Sequence, residues 1–390
     1  MPIPGPVTIE VYNSVDGAAF FRRLLREWQE AGALVKSHSA ISENDYRRRR
    51  GRLGRMILRW RMYVGFAWIC FWATRRRRTG APLRVVTTNP FFAPALVRRL
   101  VGERGATINL LYDLFPEALI RAGTIRPGSW IAGRCAAVTR TAFRECAATV
   151  FLGEQLRAYA EATYGPVRRA VVIPVGADGV PFRQSPPQRL PDGTRPTILY
   201  AGLMGSMHDT ATIAAVWEKE LPAEVIWSFR ASGTGYDRLR AARAQPPAVN
   251  WGGALADADW QRAMKGAQVA LVTIAPGAER VVMPSKTYSA LVAGQAILAI
   301  CCRASDLAEL VFRHECGWVV EPDDAAGLRA ALQEIACDPA GLWEKRQRAF
   351  AAGHRYYDMT PIAASWSKLF EELAGEQSVQ PDGMTRSRAL

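Results

Sequence analysis

The chain reads as an α/β protein built from two successive doubly wound, Rossmann-like units that face each other across a cleft. Three observations predict this. Strand-like apolar runs alternate with helical stretches along most of the sequence, the pattern of a parallel sheet covered by helices. A polar, Pro-rich break at 183–196 (RQSPPQRLPDGTRP) interrupts the alternation, which then restarts at once. The 390 residues also exceed what one hydrophobic core usually serves.

The first unit spans 1–182. Its expected strands are Val7–Tyr12, Leu83–Thr88, Thr107–Tyr112, Ala147–Leu152 and Val171–Val175, with helices at Ala18–Ala31, Ala93–Val101 and Glu154–Tyr164. After the linker, the second unit covers 197–356. Strands are expected at Thr197–Ala201, Val225–Arg230, Val269–Thr273 and Ile297–Ile300. Helices are expected at Thr210–Lys219, Tyr236–Ala244, Asp257–Met264, Ser285–Ala293, Ala325–Cys337 and Leu342–Ala352. A last helix within 357–375 is expected to pack back on the first unit. The tail 376–390 is polar, lacks apolar periodicity and reads as disordered.

Charge is local. The formal net charge is +14, yet twelve arginines and no carboxylate lie between Arg47 and Arg78. A basic device confined to 47–78 suits a polyanionic surface rather than a generally cationic protein. Within it, Met62–Ala73 (MYVGFAWICFWA) is apolar but far shorter than the about 20 residues a spanning helix needs. Leu53, Ile57, Trp60 and Val64 recur at helical spacing on one face, and Arg48, Arg52, Arg55 and Arg59 on another. Trp60, Trp68 and Trp72 suit a headgroup boundary, and Arg75–Arg78 follow directly. The segment is therefore expected to lie on an anionic membrane as one or two interfacial helices, with Arg55, Arg59, Trp60, Trp68, Trp72 and Arg75 as contacts. The alternative is a core helix with a solvated basic flank. Seven cysteines without a CxxC pair argue against a disulfide framework or zinc site and fit a reducing compartment. The opening MPIPGPVTIEVY does not read as a signal peptide.

Three glycine-bearing turns follow strands of the second unit: Gly202–Gly205 with His208 beyond it, Ser232–Gly235 around Gly233, and Gly252–Gly253. Such turns let a backbone approach a phosphate closely. The segment Glu279–Gly294 places Met283, Pro284, Ser285 and Lys286 at a helix start. A lysine there is unfavourable for the helix dipole and calls for an anion, with Arg280 as a second cation. A surface lysine paired with a carboxylate is the plainer alternative.

Met283-Pro-Ser-Lys-Thr-Tyr288 and the residues to Gly294 resemble the PSK-x-Y-x-x-L-A-x-G signature of glycosyltransferases of the retaining family 4 class, which have the GT-B fold. The likeness is nearest to enzymes assembling colanic-acid-type and other exopolysaccharide repeat units. Thr88-Asn-Pro-Phe91, Tyr112-Asp-Leu-Phe-Pro-Glu117, Ile173-Pro-Val-Gly-Ala-Asp178 and Cys316-Gly-Trp-Val-Val-Glu-Pro322 resemble further family segments in the same order. The resemblance implies an acceptor-binding first domain and a second domain that holds a nucleotide-sugar donor. Gly202, Gly205, His208, Gly233, Gly253, Arg280, Met283, Ser285, Lys286 and Tyr288 would lie at the donor, with Lys286 stabilising the leaving diphosphate. Asp113, where a strand of the first unit ends, would take the acceptor's proton or orient its hydroxyl, with Glu117 second. A helix N-cap is the alternative for Asp113. No metal or cofactor is expected. The implied acceptor is a polyprenyl-diphosphate-linked saccharide, and the implied place is the cytoplasmic face of a bacterial inner membrane, held peripherally.

The sequence departs from the family where two glutamates spaced by seven residues usually stand, here Val281 and Ser289, and in its first loop, Asn13–Gly17. It shares looser Met-x-x-Lys and Asp features with an inverting GT-B glucuronosyltransferase, which would make Asp113 a general base. A nucleotide-sugar epimerase, an inactive glycosyltransferase and a non-enzymatic basic module binding membrane or nucleic acid are the other readings. Nucleic acid is not the expected partner, because the charge is confined to one insertion.

Overall fold

The structure is a computed structural model that describes residues 7–16, 19–47, 51–75, 81–102, 104–218, 224–242, 244–246, 248–279, 281 and 283–379. The strands are β1 (Thr8–Tyr12), β2 (Val15–Asp16), β3 (Leu34–His38), β4 (Ile41–Ser42), β5 (Leu83–Thr87), β6 (Thr107–Leu110), β7 (Ala148–Phe151) and β8 (Ala170–Val172) in the first unit. The second unit holds β9 (Thr197–Leu203), β10 (Ile226–Ser232), β11 (Val249–Gly252), β12 (Val269–Thr273), β13 (Ala296–Ile300) and β14 (Gly317–Val320). Two six-stranded parallel sheets result, ordered β3-β1-β5-β6-β7-β8 and β11-β10-β9-β12-β13-β14, with a small β2-β4 pair beside the first. Central strands such as β5, β12 and β13 are buried at every residue, as sheets covered on both faces require.

Strand order reverses between β1 and β5 in one sheet and between β9 and β12 in the other. Loops at the carboxyl ends of the strands part there, which is where doubly wound sheets bind ligands. The first switch point is braced below by an ion pair in register on neighbouring strands. Arg84 Nε lies 3.3 Å from Glu10 Oε2, which also accepts from the Tyr12 hydroxyl at 3.0 Å. Both ionic side chains are buried.

Several sequence expectations need correction. The last strand of the first unit stops at Val172, since Pro174 cannot continue a ladder. The final helix runs Met359–Val379 and takes in the start of the expected tail, because Glu372 and Glu376, one turn apart, both pair with Arg169. Residues 380–390 lie outside the described residues. Among the elements that escaped the sequence reading are the exposed edge strand β3, the helix Trp130–Glu145, the helix Asp306–His314 and the edge strand β14. The final helix packs on Ala19–Glu30 in the first unit, with Trp28 edge-on to Trp366 at 5.3 Å and to Phe370 at 5.1 Å. Asp358 pins this return, accepting from Gly179 N at 3.0 Å and from Arg183 Nη2 at 2.7 Å. A second tie joins the units directly. The Asp306 carboxylate accepts from the backbone N–H of Gln155 at 2.8 Å and of Leu156 at 3.1 Å, capping the helix Glu154–Tyr164 of the other unit. A Cβ on Gly153 would fall inside that carboxylate, so glycine is required there by close approach.

The basic segment forms a helix Arg52–Trp60, a π-helical turn Arg61–Gly65 and a helix Phe66–Arg75, continuous over about 36 Å at 1.5 Å per residue. The core-helix reading describes one of its faces. Met62, Phe66, Cys70 and Ala73 are buried, the last three against Tyr12, Val86, Ala93 and Val97. Leu53, Met56, Ile57, Trp60, Val64, Trp68 and Trp72 form an exposed row along the other side. Arg55, Arg59, Arg61 and Arg75 are exposed on the same segment. Residues 48–50 and 76–78 lie outside the described residues. No helix among the described residues is long and apolar enough to cross a membrane.

Candidate active site

At the second switch point, Gly202, the penultimate residue of β9, has φ +116, a value that favours glycine, and the chain turns through Gly205 to His208. Ala275, in the loop after β12, donates its N–H to Met207 O at 2.9 Å, so the two loops form one floor. Lys286 opens the helix Lys286–Val292 above it. The ammonium is half-buried, stacks 3.7 Å from the centroid of the Tyr200 ring, donates to the Tyr200 hydroxyl and reaches Leu203 O at 3.3 Å. Tyr200 in turn donates to Leu203 O at 2.7 Å. No carboxylate pairs with Lys286 among the described residues, so the surface-pair alternative fails. Burial pushes its pKa down to about 7, because the cation has given up part of its water.

His208 accepts from Gly205 N at 3.1 Å through Nδ1, which leaves its proton on Nε2. Burial, with the Lys286 charge added, holds it down at about 4, so the ring is neutral and its Nε2–H is a donor. The floor therefore carries one cation and one neutral donor. Gly233, also at positive φ, packs its backbone so tightly that a Cβ would meet Met204 O at 2.7 Å. Gly253 is exposed beyond edge strand β11, two strands from the switch point.

Other residues singled out from the sequence sit differently. Ser285 is the exposed residue before the helix and makes no cap hydrogen bond, rather than standing in its first turn. Tyr288 is 1% exposed, its ring 5.2 Å from that of Tyr357, so it supports the loop from the core and offers no donor contact. Met283 is buried in the same core. Arg280 lies outside the described residues. Tyr200 is the residue sequence reasoning missed. An aromatic with a hydroxyl two residues before the glycine turn was the available signal.

In the first unit, β6 ends and Asp113 follows in the loop. Thr88 Oγ1, from the loop after β5, donates to Asp113 O at 3.2 Å and accepts from the N–H of Tyr112 at 3.2 Å and of Asp113 at 3.4 Å. This fixes the backbone and leaves the side chain alone. The next helix starts at Glu117 with Pro116 before it, so Asp113 is not its cap. Burial raises the Asp113 carboxyl to about 6, with no cation to offset it, a value suited to accepting a proton near neutrality. Glu117 differs: it accepts a hydrogen bond from Tyr164, and that commits it to its own domain. Among the described residues, no cluster of three or more His, Cys, Asp or Glu could hold a metal ion.

Three comparisons bear on this geometry. No family model matches the chain. A probable glycosyltransferase of Pseudomonas aeruginosa, WbjE, is 23% identical over 238 residues; the match spans 58% of this chain and 58% of the relative's length. Among solved structures, sucrose-phosphate synthase from Thermosynechococcus elongatus superposes with a TM-score of 0.73 at 14% identity, over 95% of this chain and all of that one. A UDP-forming trehalose-phosphate synthase from Burkholderia vietnamiensis gives 0.66 at 13% identity, over 96% and 99%. Anabaena HepE, solved with UDP and glucose, gives 0.63 at 13% identity, over 94% and 100%. Two parallel six-stranded units, a crossing C-terminal helix and these neighbours make the fold that of the GT-B glycosyltransferases.

Proposed function

We propose that the chain is a glycosyltransferase that moves a hexose-type residue from a nucleotide-sugar donor, UDP-linked by analogy with the ligand of HepE, to a polyprenyl-diphosphate-linked saccharide. The observation that carries this reading is Lys286: a desolvated cation without a carboxylate partner, held over Tyr200 at the β9/β12 switch point. Such a cation gains most from the charge that builds on a departing diphosphate. In the reaction, the acceptor hydroxyl attacks the anomeric carbon while the bond from that carbon to the diphosphate oxygen breaks. Asp113 accepts the hydroxyl proton, and Lys286 with the His208 Nε2–H faces the leaving group. Colanic-acid-type or other exopolysaccharide assembly at the cytoplasmic face of an inner membrane is the setting this suggests. The nucleotide sugar and an anionic lipid surface are the partners, nucleic acid is not, and no metal or cofactor is assigned.

The family 4 likeness implies retention. Inversion is the second reading, favoured by two observations: burial raises the Asp113 carboxyl to about 6, suited to a general base, and Val281 is a buried apolar residue where a family glutamate would stand. Product stereochemistry decides between them. The exposed row from Leu53 to Trp72, edged by arginines, supports membrane docking, and Trp130, 76% exposed, with Ile131 adds a second apolar tip.

Thermal melting against UDP-, GDP- and dTDP-sugars tests the donor. A true donor at about 100 times its Kd adds roughly 2.7 kcal/mol of stability and raises Tm. A flat response to every nucleotide would remove the enzyme reading and leave a basic membrane-binding module. Lys286→Ala should fold normally and lose that response.

A further inference from the structure

Resting on the lipid-linked acceptor just proposed, we infer that Tyr63, Phe92, Phe91 and Phe115 form an aromatic track that carries the lipid-proximal part of the acceptor from the membrane-facing helix to Asp113. The rings follow one another without a gap. Tyr63, in the π-helical turn of the docking segment, lies 6.2 Å from Phe92 between centroids. Phe92 lies 5.5 Å from Phe91, and Phe91 5.6 Å from Phe115. Phe115 stands two residues after Asp113 in the loop that Thr88 stitches to the Phe91–Phe92 turn.

All four rings are half-buried, where an aromatic beside a core could have been covered. Each gives part of its surface to the protein and leaves the rest apolar and open. One end of the row continues into the exposed line of Trp60, Val64 and Trp68, and the other ends at Phe115, two residues along the chain from Asp113. A water-soluble acceptor has no use for such a path. A prenyl chain leaving a bilayer does, because apolar surface carries it towards the loop that holds Asp113. Phe115 offers a flat apolar face to a sugar ring.

The test is photolabelling with a short prenyl phosphate bearing a diazirine, presented in vesicles of anionic phospholipid, followed by peptide mapping. Labels on Tyr63, Phe91, Phe92 or Phe115, reduced several-fold by unlabelled prenyl phosphate, are expected. A Phe91→Ser/Phe92→Ser double variant should lose those labels yet still sediment with vesicles, and Phe92→Leu should keep them, which separates loss of apolar surface from misfolding. Labels on the exposed row of Leu53, Ile57, Trp60, Val64, Trp68 and Trp72 with none on Tyr63, Phe91, Phe92 or Phe115, or labels on those four rings indifferent to competitor, would overturn the track. So would specific labelling by an apolar peptide probe that the prenyl phosphate fails to displace. The assay needs neither donor nor turnover, so its failure leaves the donor reading standing, and a failed donor screen leaves it unaffected.

Discussion

Lys286 and Asp113 depart from their ordinary ionisation for the same reason, loss of water, but in opposite directions. Their limbs frame a pH profile. The Asp113 carboxyl must be ionised to act as base, so kcat/KM should rise with pH through about 6. Lys286 must be protonated to meet a diphosphate, so kcat/KM and donor affinity should fall as pH climbs through about 7. A narrow bell near neutrality is the expected rate profile, and calorimetry in buffers of different ionisation enthalpy should show proton uptake on donor binding above about 7. A profile flat over the neutral range would detach both residues from the chemistry. Asp113→Asn should leave donor binding near normal and lower kcat by about 100-fold. Tyr200→Phe keeps the ring under the ammonium and removes the hydroxyl, so donor KM should rise by a few-fold while Tm changes little. The buried Glu10–Arg84 pair belongs to stability. Arg84→Ala removes the cation beside the buried Glu10 carboxylate and should cost about 3–5 kcal/mol in denaturant unfolding.

At the scale of elements, the docking segment makes its own prediction. Its exposed face includes Trp68 and Trp72, each worth about 1.5–3 kcal/mol when buried, so Trp68→Ser/Trp72→Ser should weaken sedimentation with anionic vesicles at least 10-fold. Added salt should weaken wild type as well, through Arg55, Arg59 and Arg75. Elements carrying dense apolar runs, such as β12 and β13, were legible because burial on both faces leaves continuous aliphatics. The helix Trp130–Glu145 was not, because its buried face is Ala132, Cys135, Ala136, Thr139 and Ala142, with Phe143 its one large apolar residue, too weak a pattern to show a period. The two faces of this segment were separable only after folding, since Phe66 and Trp68 look alike until one meets Val86 and the other meets only Phe71 and Trp72 of its own helix and stays exposed. In the site, Lys286 was readable from its helix-start motif, whereas its partner Tyr200 stands 86 residues away. Tyr288 misled because a motif position says nothing about which way a ring turns.

Two ties hold the whole molecule in its present arrangement. Burial alone would raise the Asp358 carboxyl, but hydrogen bonds from Arg183, Gly179 and Met359 outweigh it and hold it below the usual carboxylate range. A depressed folded-state pKa gives stability that is present above the unfolded value and lost as pH falls through the folded one. The return of the final helix should therefore loosen in acid, and Asp358→Asn should abolish that part of the pH dependence of Tm. The Asp306 cap links the two units across the cleft. Gly153→Ala forces a methyl into that carboxylate and should raise the radius of gyration by small-angle scattering, with both units still folded.

The buried face of the docking helix has a last consequence. Because Phe66 and Cys70 are wedged against Tyr12 and Val86, the segment cannot sink further into lipid without tearing the first sheet. A lipid surface that took up the exposed row would therefore carry the first sheet, and with it the loop that holds Asp113, at one fixed depth.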